Sequence, residues 1–390
     1  MIYLDSNATS KPSPAVCEAV LRGMTELWHN PSSLHRPGQR VRAEVELARK
    51  AVAELLHADA KEIVFTASGT ESIDLAIRGT LLARGGRGTI IRSDIEHPAV
   101  RKVAQDLAEW QEAEVAAAPI NAKGVIDVDE LASMLDESVA VVSVQWANNE
   151  TGAIQPVERI AALCREKGVP FHCDATQWVG KAPTDVRALG CDLLTCAPHK
   201  FHGPKGVGIL YIRAGHAIRP VIRGSQERGM RGGTENVPAI LGAGVAARES
   251  IEWLADPSRR AKLADLRDLF ERWVLDLVPG SQVNGPTGPT ERLWNTTNIA
   301  FPRLESEALL FLCSENGVCA SAGSACSSGA MEPSGVLMAM GLSVDQAESS
   351  VRFSLCRETT RQDLEKAIAH LAQCASMLRG VPVEPTLPAG

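Results

Sequence analysis

The sequence contains no CxxC pair, no internal repeat and no low-complexity block. Its ten cysteines are scattered. In a long chain without a leader, that pattern favours reduced thiols over a disulfide framework. Cys191 and Cys196 with His199 and His202 lack the spacing of paired-ligand motifs, so no metal site is expected. No basic segment followed by an apolar stretch precedes Ile2-Tyr-Leu-Asp5, which predicts a cytoplasmic protein with no secretory signal. No uninterrupted apolar run is long enough for a membrane span. An excess of positive charge is also missing. The net charge of −7 argues against general binding to nucleic acid or a membrane surface, and no direct nucleic-acid partner is expected.

What is present is an ordinary globular composition, 45% apolar and 22% charged, over 390 residues. That length is too great for one ordinary core and predicts two domains. Short apolar runs at 63–66, 89–92, 140–145, 169–173, 193–196 and 207–212 predict strands. Helical patterns at 41–56, 100–110 and 157–167 sit between or beside them. This alternation predicts an α/β domain with a mainly parallel sheet, with functional groups at the carboxyl ends of its strands. Two further helices, 235–253 and 259–277, are separated by Asp256-Pro-Ser258, which places a boundary near residue 256. A strand at 298–301, a helix at 306–315, a strand at 351–355 and a helix at 361–378 then predict a smaller α+β domain. Three prolines within 381–390 predict a poorly ordered tail.

The chemistry gathers at strand ends. Lys200 follows the apolar run Cys191-Asp-Leu-Leu-Thr-Cys-Ala197 and precedes Phe201-His-Gly-Pro-Lys-Gly206. Asp174 ends Phe171-His-Cys-Asp174, and Gln177 follows three residues later. A lysine and an aspartate at neighbouring strand ends suit pyridoxal 5'-phosphate. The amine forms a Schiff base, and the carboxylate pairs with the protonated pyridine nitrogen. Thr66-Ala-Ser-Gly-Thr-Glu-Ser72 is a small-residue turn into a helix, whose free amides favour phosphate. Cys326 lies in Ser321-Ala-Gly-Ser-Ala-Cys-Ser-Ser-Gly329, where glycine leaves the backbone free to move. Cys173, Cys191 and Cys196 instead fall in apolar runs, as buried small hydrophobes do.

These segments, with Ala147-Asn-Asn-Glu-Thr-Gly152, Glu227-Arg-Gly-Met-Arg-Gly-Gly-Thr234 and the His199-Lys200 pair, resemble the cysteine desulfurases of the NifS/IscS group. The resemblance runs from Tyr3-Leu-Asp-Ser-Asn-Ala-Thr9 to Val351-Arg-Phe-Ser-Leu355. It implies the PLP-dependent transferase fold of type I, with a mainly parallel, seven-stranded-type sheet in a large domain at 15–255. The small domain would comprise 1–14 and 256–390 and carry the cysteine loop. It further implies conversion of L-cysteine to L-alanine with transfer of sulfur to Cys326 as a persulfide. A selenocysteine lyase, a class V aminotransferase and a non-catalytic sulfur-trafficking scaffold are the alternatives. The aminotransferase needs no nucleophilic thiol, and the scaffold needs none of the reactive set.

By the same resemblance Lys200 is the Schiff-base lysine, Asp174 faces the pyridine nitrogen, and His97 stacks on the ring and shuttles protons. Gly69, Thr70 and His199 lie on the phosphate side. Asn149 and Gln177 bond the phenolic oxygen or the substrate. Arg352 holds the substrate carboxylate, with Asn30 as a second contact. Thr234 reaches the phosphate of the partner subunit, which implies a homodimer with shared active sites. An iron–sulfur scaffold or another sulfur-acceptor protein would receive the sulfur, and the Cys326 persulfide would be where a nascent iron–sulfur cluster is met. One departure stands out. Ala197 occupies the place of a phosphate-binding serine, so one neutral hydrogen bond worth about 1 kcal/mol is expected to be missing.

Overall fold

The computed structural model describes residues 1–110, 113–322 and 333–380. The expected cysteine loop around Cys326 and the 381–390 tail lie outside the described residues. The central sheet has seven strands, in the spatial order Ile63–Thr66, Gly208–Ile212, Leu193–Cys196, Phe171–Asp174, Val139–Gln145, Thr89–Ser93 and Glu114–Ala118. From Leu193–Cys196 to the Glu114–Ala118 edge, every neighbouring pair is parallel. Gly208–Ile212 runs antiparallel to both its neighbours. The sheet is therefore mainly parallel, as the strand–helix alternation predicts.

Both faces of this sheet are covered, so its central strands have no polar side to show. All seven residues of Val139–Gln145 are buried. Val142 and Val144 join the core formed with helices Arg36–Leu56, Val157–Lys167 and Val237–Leu254. Val141 points the other way, into the core formed with Gly69–Ala83 and Pro98–Glu109. This division follows from the two-residue period of a strand.

Two local outcomes differ from the sequence expectation. The edge strand Glu114–Ala118 reads Glu-Val-Ala-Ala-Ala, with too little β-propensity to be seen as a strand. It forms because Thr89–Ser93 pairs with it over five residues. The helix expected from Val41 begins at Arg36, capped by His35, whose Nδ1 accepts the Gly38 amide at 3.1 Å. Histidine is not among the usual capping residues, so the extra turn carries no sequence signal.

A second core surrounds a three-stranded antiparallel sheet, Gln282–Asn284, Thr296–Ala300 and Ser350–Ser354. Phe270, Phe301 and Phe353 pack there edge to face, with Leu364 and Ile368 of the last helix beside them. Leu4 is fully buried in the same core, and Ile2–Tyr3 pairs in parallel with Val318–Cys319. Further along, the Ser10 amide bonds the His199 carbonyl at 2.8 Å. The first ten residues thus run from the second core to the turn that carries Lys200. Among the described residues, no helix is long and apolar enough to cross a membrane.

One buried ion pair locks the first core to the Glu227 segment. Arg49 and Glu227 are joined by two bonds, of 2.6 and 2.8 Å, and both side chains are almost completely buried. Glu227 also accepts the Phe65 amide at 2.9 Å, and Arg49 donates to the Ile63 carbonyl at 3.0 Å. Glu227→Ala would leave the guanidinium buried without its partner, and we expect a loss of ~3–5 kcal/mol in urea unfolding. Arg49→Met with Glu227→Leu is expected to lose much less. Equal losses in the single and double variants would contradict this account of the pair.

Candidate active site

A cavity of about 410 Å³ opens at the carboxyl ends of the parallel strands. Asp174 closes its strand there, in register with Gln145 on one side and Thr195 on the other. Its side chain turns back on the chain, and Oδ1 accepts the Thr176 amide at 3.0 Å. An aspartate after a strand commonly makes such a turn. Here the residue is only 4% exposed, so its carboxylate borders the cavity and not bulk water.

Lys200 sits in a single helical turn, Pro198–Lys200, directly after Leu193–Cys196. Its Nζ donates to the carbonyls of Asn7 at 2.7 Å and Ala8 at 2.9 Å. Burial, followed by the Arg352 guanidinium, pushes the amine down to about 8, against the pull of Asp5 and Asp174. An amine near that value has a sizeable neutral, nucleophilic fraction at neutral pH.

Two imidazoles flank it. His97 caps the helix Pro98–Glu109, its Nδ1 accepting the Ala99 amide at 3.1 Å. Burial lowers its basicity, and Lys200 and Arg101 lower it further against the opposing pull of Asp174. With Nδ1 accepting, the neutral ring carries its proton on Nε2. His199 is pushed down to about 4 by burial and then by Lys200, and its Nδ1 meets Thr9 Oγ1 at 3.2 Å. Near neutral pH, neither ring repels the other cations of the cavity.

At one end of the cavity the helix Gly69–Ala83 begins. The Ser68 hydroxyl accepts the Glu71 amide at 3.1 Å, which leaves the amides of Gly69 and Thr70 without a partner inside the helix. Arg352, in the middle of Ser350–Ser354, borders the cavity from the second core. It donates to Asp5 Oδ1 at 2.6 Å and to the Asn149 carbonyl at 3.2 Å, while its Nε is buried without a partner.

The structure therefore brings Lys200, Asp174, His97, His199, Gly69, Thr70, Asn149, Gln177 and Arg352 to one cavity. Asn30 and Thr234 are elsewhere. Asn30 turns onto its own loop, with Oδ1 accepting the Ser32 amide at 2.8 Å. Thr234 borders a separate, smaller cavity beside Thr66 and Glu235. Cys326 lies outside the described residues. Cys173, Cys191 and Cys196 are buried, and burial pushes each thiol up, away from the reactive thiolate. Among the described residues, no group of three or more His, Cys, Asp or Glu is placed to hold a metal ion.

Several residues of the site escaped the sequence reading. Asn7 accepts Lys200 and Gln177 on its carbonyl, at 2.7 and 3.0 Å. Its side-chain oxygen accepts Lys181 Nζ at 2.8 Å and Asn295 at 3.0 Å. Lys181 is itself buried and also bonds Gln177 Oε1 at 2.5 Å. Burial, Lys200 and Arg352 together push its amine well down. The four-residue spacing of Gln177 and Lys181 was the only local hint. Glu150 is buried beside Arg352 and Arg101, held by the Ser334 hydroxyl at 2.5 Å, and burial pushes its carboxyl up.

Glu96 is buried as well. It accepts the Ser93 hydroxyl at 2.5 Å and the Gln145 amide at 2.8 Å, and burial raises its carboxyl to about 8. In the unfolded chain the same group titrates at about 4.3. Between those values the folded state binds more protons than the unfolded state. The Glu96 contribution is therefore present below the lower value and is lost as pH rises through about 8. We expect the stability of the ligand-free chain to fall more steeply from pH 5 to 8 than that of Glu96→Gln. Parallel urea-unfolding curves for the two proteins across that range would exclude this titration.

Against this geometry, the family model described as Aminotransferase class-V matches residues 2–367. A protein of Trichormus azollae described as "Cysteine desulfurase" is 45% identical over 98% of this chain and 94% of its own length. "Cysteine desulfurase NifS" of Azotobacter vinelandii is 43% identical over 97% of this chain and 94% of its own. A solved structure described as a NifS-like protein superposes with a TM-score of 0.89 at 34% identity, covering 96% of this chain and 99% of that one.

Proposed function

The chain belongs to the cysteine desulfurases of the class-V aminotransferase family, and from that premise we propose that it binds pyridoxal 5'-phosphate at the strand ends, converts L-cysteine to L-alanine and passes the sulfur to Cys326 as a persulfide. The observation that carries this reading is Lys200, a half-buried amine lowered to about 8 that lines the same cavity as His97 and the buried Asp174.

The residues present fit this cofactor. The unpaired amides of Gly69 and Thr70 suit a phosphate at a helix start. The Thr176 hydroxyl, buried on the cavity wall, has no partner, so a polar ligand there satisfies it. When bound, pyridoxal phosphate supplies a sink for the electrons released at the substrate's α-carbon.

The protein does the rest. Lys200 Nζ would hold the cofactor and take the α-proton of L-cysteine. Asp174 would face the ring nitrogen and favour its protonated form. His97, with its proton on Nε2, would cover the ring. Gln177 and Asn149 would bond the phenolic oxygen or the substrate. Arg352 receives the substrate carboxylate with its planar guanidinium, and its unpartnered Nε supports that role. The Cys326 thiolate attacks the substrate sulfur. An S–S bond forms as the carbon–sulfur bond breaks, and the electron pair of that bond returns to the carbon that becomes the alanine methyl.

Thr234 stays out of its own chain's cavity, which supports a homodimer in which it completes the partner's phosphate site. The persulfide then passes to an iron–sulfur scaffold or another acceptor protein. We expect Lys200→Ala to lose both the cofactor's visible absorption and alanine release. Cys326→Ser should keep the absorption but form no labelled persulfide. Turnover in the first variant or persulfide in the second would overturn these assignments.

A further inference from the structure

We infer that the Thr176 hydroxyl donates to the cofactor's phosphate and so takes over the hydrogen bond that Ala197 cannot make. The inference rests on the cofactor reading above and concerns one corner of the same cavity. A Cβ built on Gly69 would stand 3.4 Å from the Ala197 methyl and 3.8 Å from Thr176 Oγ1. Three groups therefore bound one point: the first residue of a helix with unpaired amides, an apolar methyl and a hydroxyl. Ala197 and Pro198 offer no side-chain donor there. Among the described residues other than its chain neighbours Ser68 and Thr70, Thr176 supplies the side-chain donor within 4 Å of that point.

The state of that hydroxyl is the second observation. Thr176 Oγ1 is shielded from water and makes no hydrogen bond, although its backbone amide is tied to Asp174 Oδ1 at 3.0 Å. Buried hydroxyls are normally paired, and one without a protein partner points to a ligand. A phosphate at the helix start has oxygens to accept from it, and the tie to Asp174 fixes the backbone while the hydroxyl stays free to rotate. One aspartate–threonine turn would thus hold both ends of the cofactor: the carboxylate at the ring nitrogen and the hydroxyl at the phosphate.

The test is a titration of the cofactor-free full-length protein, followed by absorbance, with pyridoxal 5'-phosphate and separately with pyridoxal, which lacks the phosphate. Thr176→Val swaps the hydroxyl for a methyl of the same shape. It should weaken pyridoxal phosphate by about five- to tenfold, one neutral hydrogen bond, and leave pyridoxal unchanged. Thr176→Ser keeps the donor and should bind as the parent does. Ala197→Ser in the Thr176→Val background should restore the affinity. Unchanged phosphate-ester binding by Thr176→Val would overturn the inference, as would equal weakening of both ligands or weakening in Thr176→Ser. If the parent protein itself bound no pyridoxal phosphate, the functional reading would fail first.

Discussion

The site depends on one backbone carbonyl. Asn7 O receives the Lys200 amine and the Gln177 amide, while the Asn7 side chain ties Lys181, Asn295, Thr296 and the Asn149 carbonyl together. Thr296 belongs to the sheet of the second core, and Lys200 follows a strand of the first. A single asparagine therefore fixes the distance between two separately packed cores at the point where the reactive amine sits. Its own amide is held by Ser354 Oγ at 2.9 Å, so the clamp is anchored as well as connected. Such polar networks hold a unique geometry only when every member is satisfied, and here each polar group of Asn7 has a partner.

Charge in the cavity follows from burial more than from the number of ionisable groups. Two amines and a guanidinium lie close together, yet burial and their mutual repulsion push both amines down. The two imidazoles are held toward their neutral forms for the same reason. Burial pushes Glu96 and Glu150 toward their protonated forms. Of the groups that line the cavity, Lys200, at about 8, is therefore the amine able to take up and release a proton close to neutral pH.

Much of this was legible in the chain. The strands at 63–66 and 193–196, the acid that ends the neighbouring Phe171–Asp174 run and the lysine that follows 193–196 are read from apolar runs, hydrophobic period and turn chemistry, all of which are local. The alanine-rich edge strand Glu114–Ala118 was not legible, because its pairing comes from a distant strand and its own side chains carry little preference. Lys181 and Glu96 were hidden for another reason. Nothing in their neighbours signals that a charged residue will be buried, since such residues are mostly exposed.

The sequence by itself determined which residue types stand at the carboxyl ends of the strands, and that a helix starts behind the small-residue turn at Gly69, because these features depend on neighbours a few positions apart. Only the tertiary structure decided that Asn7 lies under Lys200, 193 positions away, that Thr176 faces the space beside Ala197, and that Arg352 is already engaged by Asp5. Hydrogen bonds and desolvation act over a few ångströms of space whatever the separation along the chain, so the pairings that tune the site exist only once both cores have closed around it.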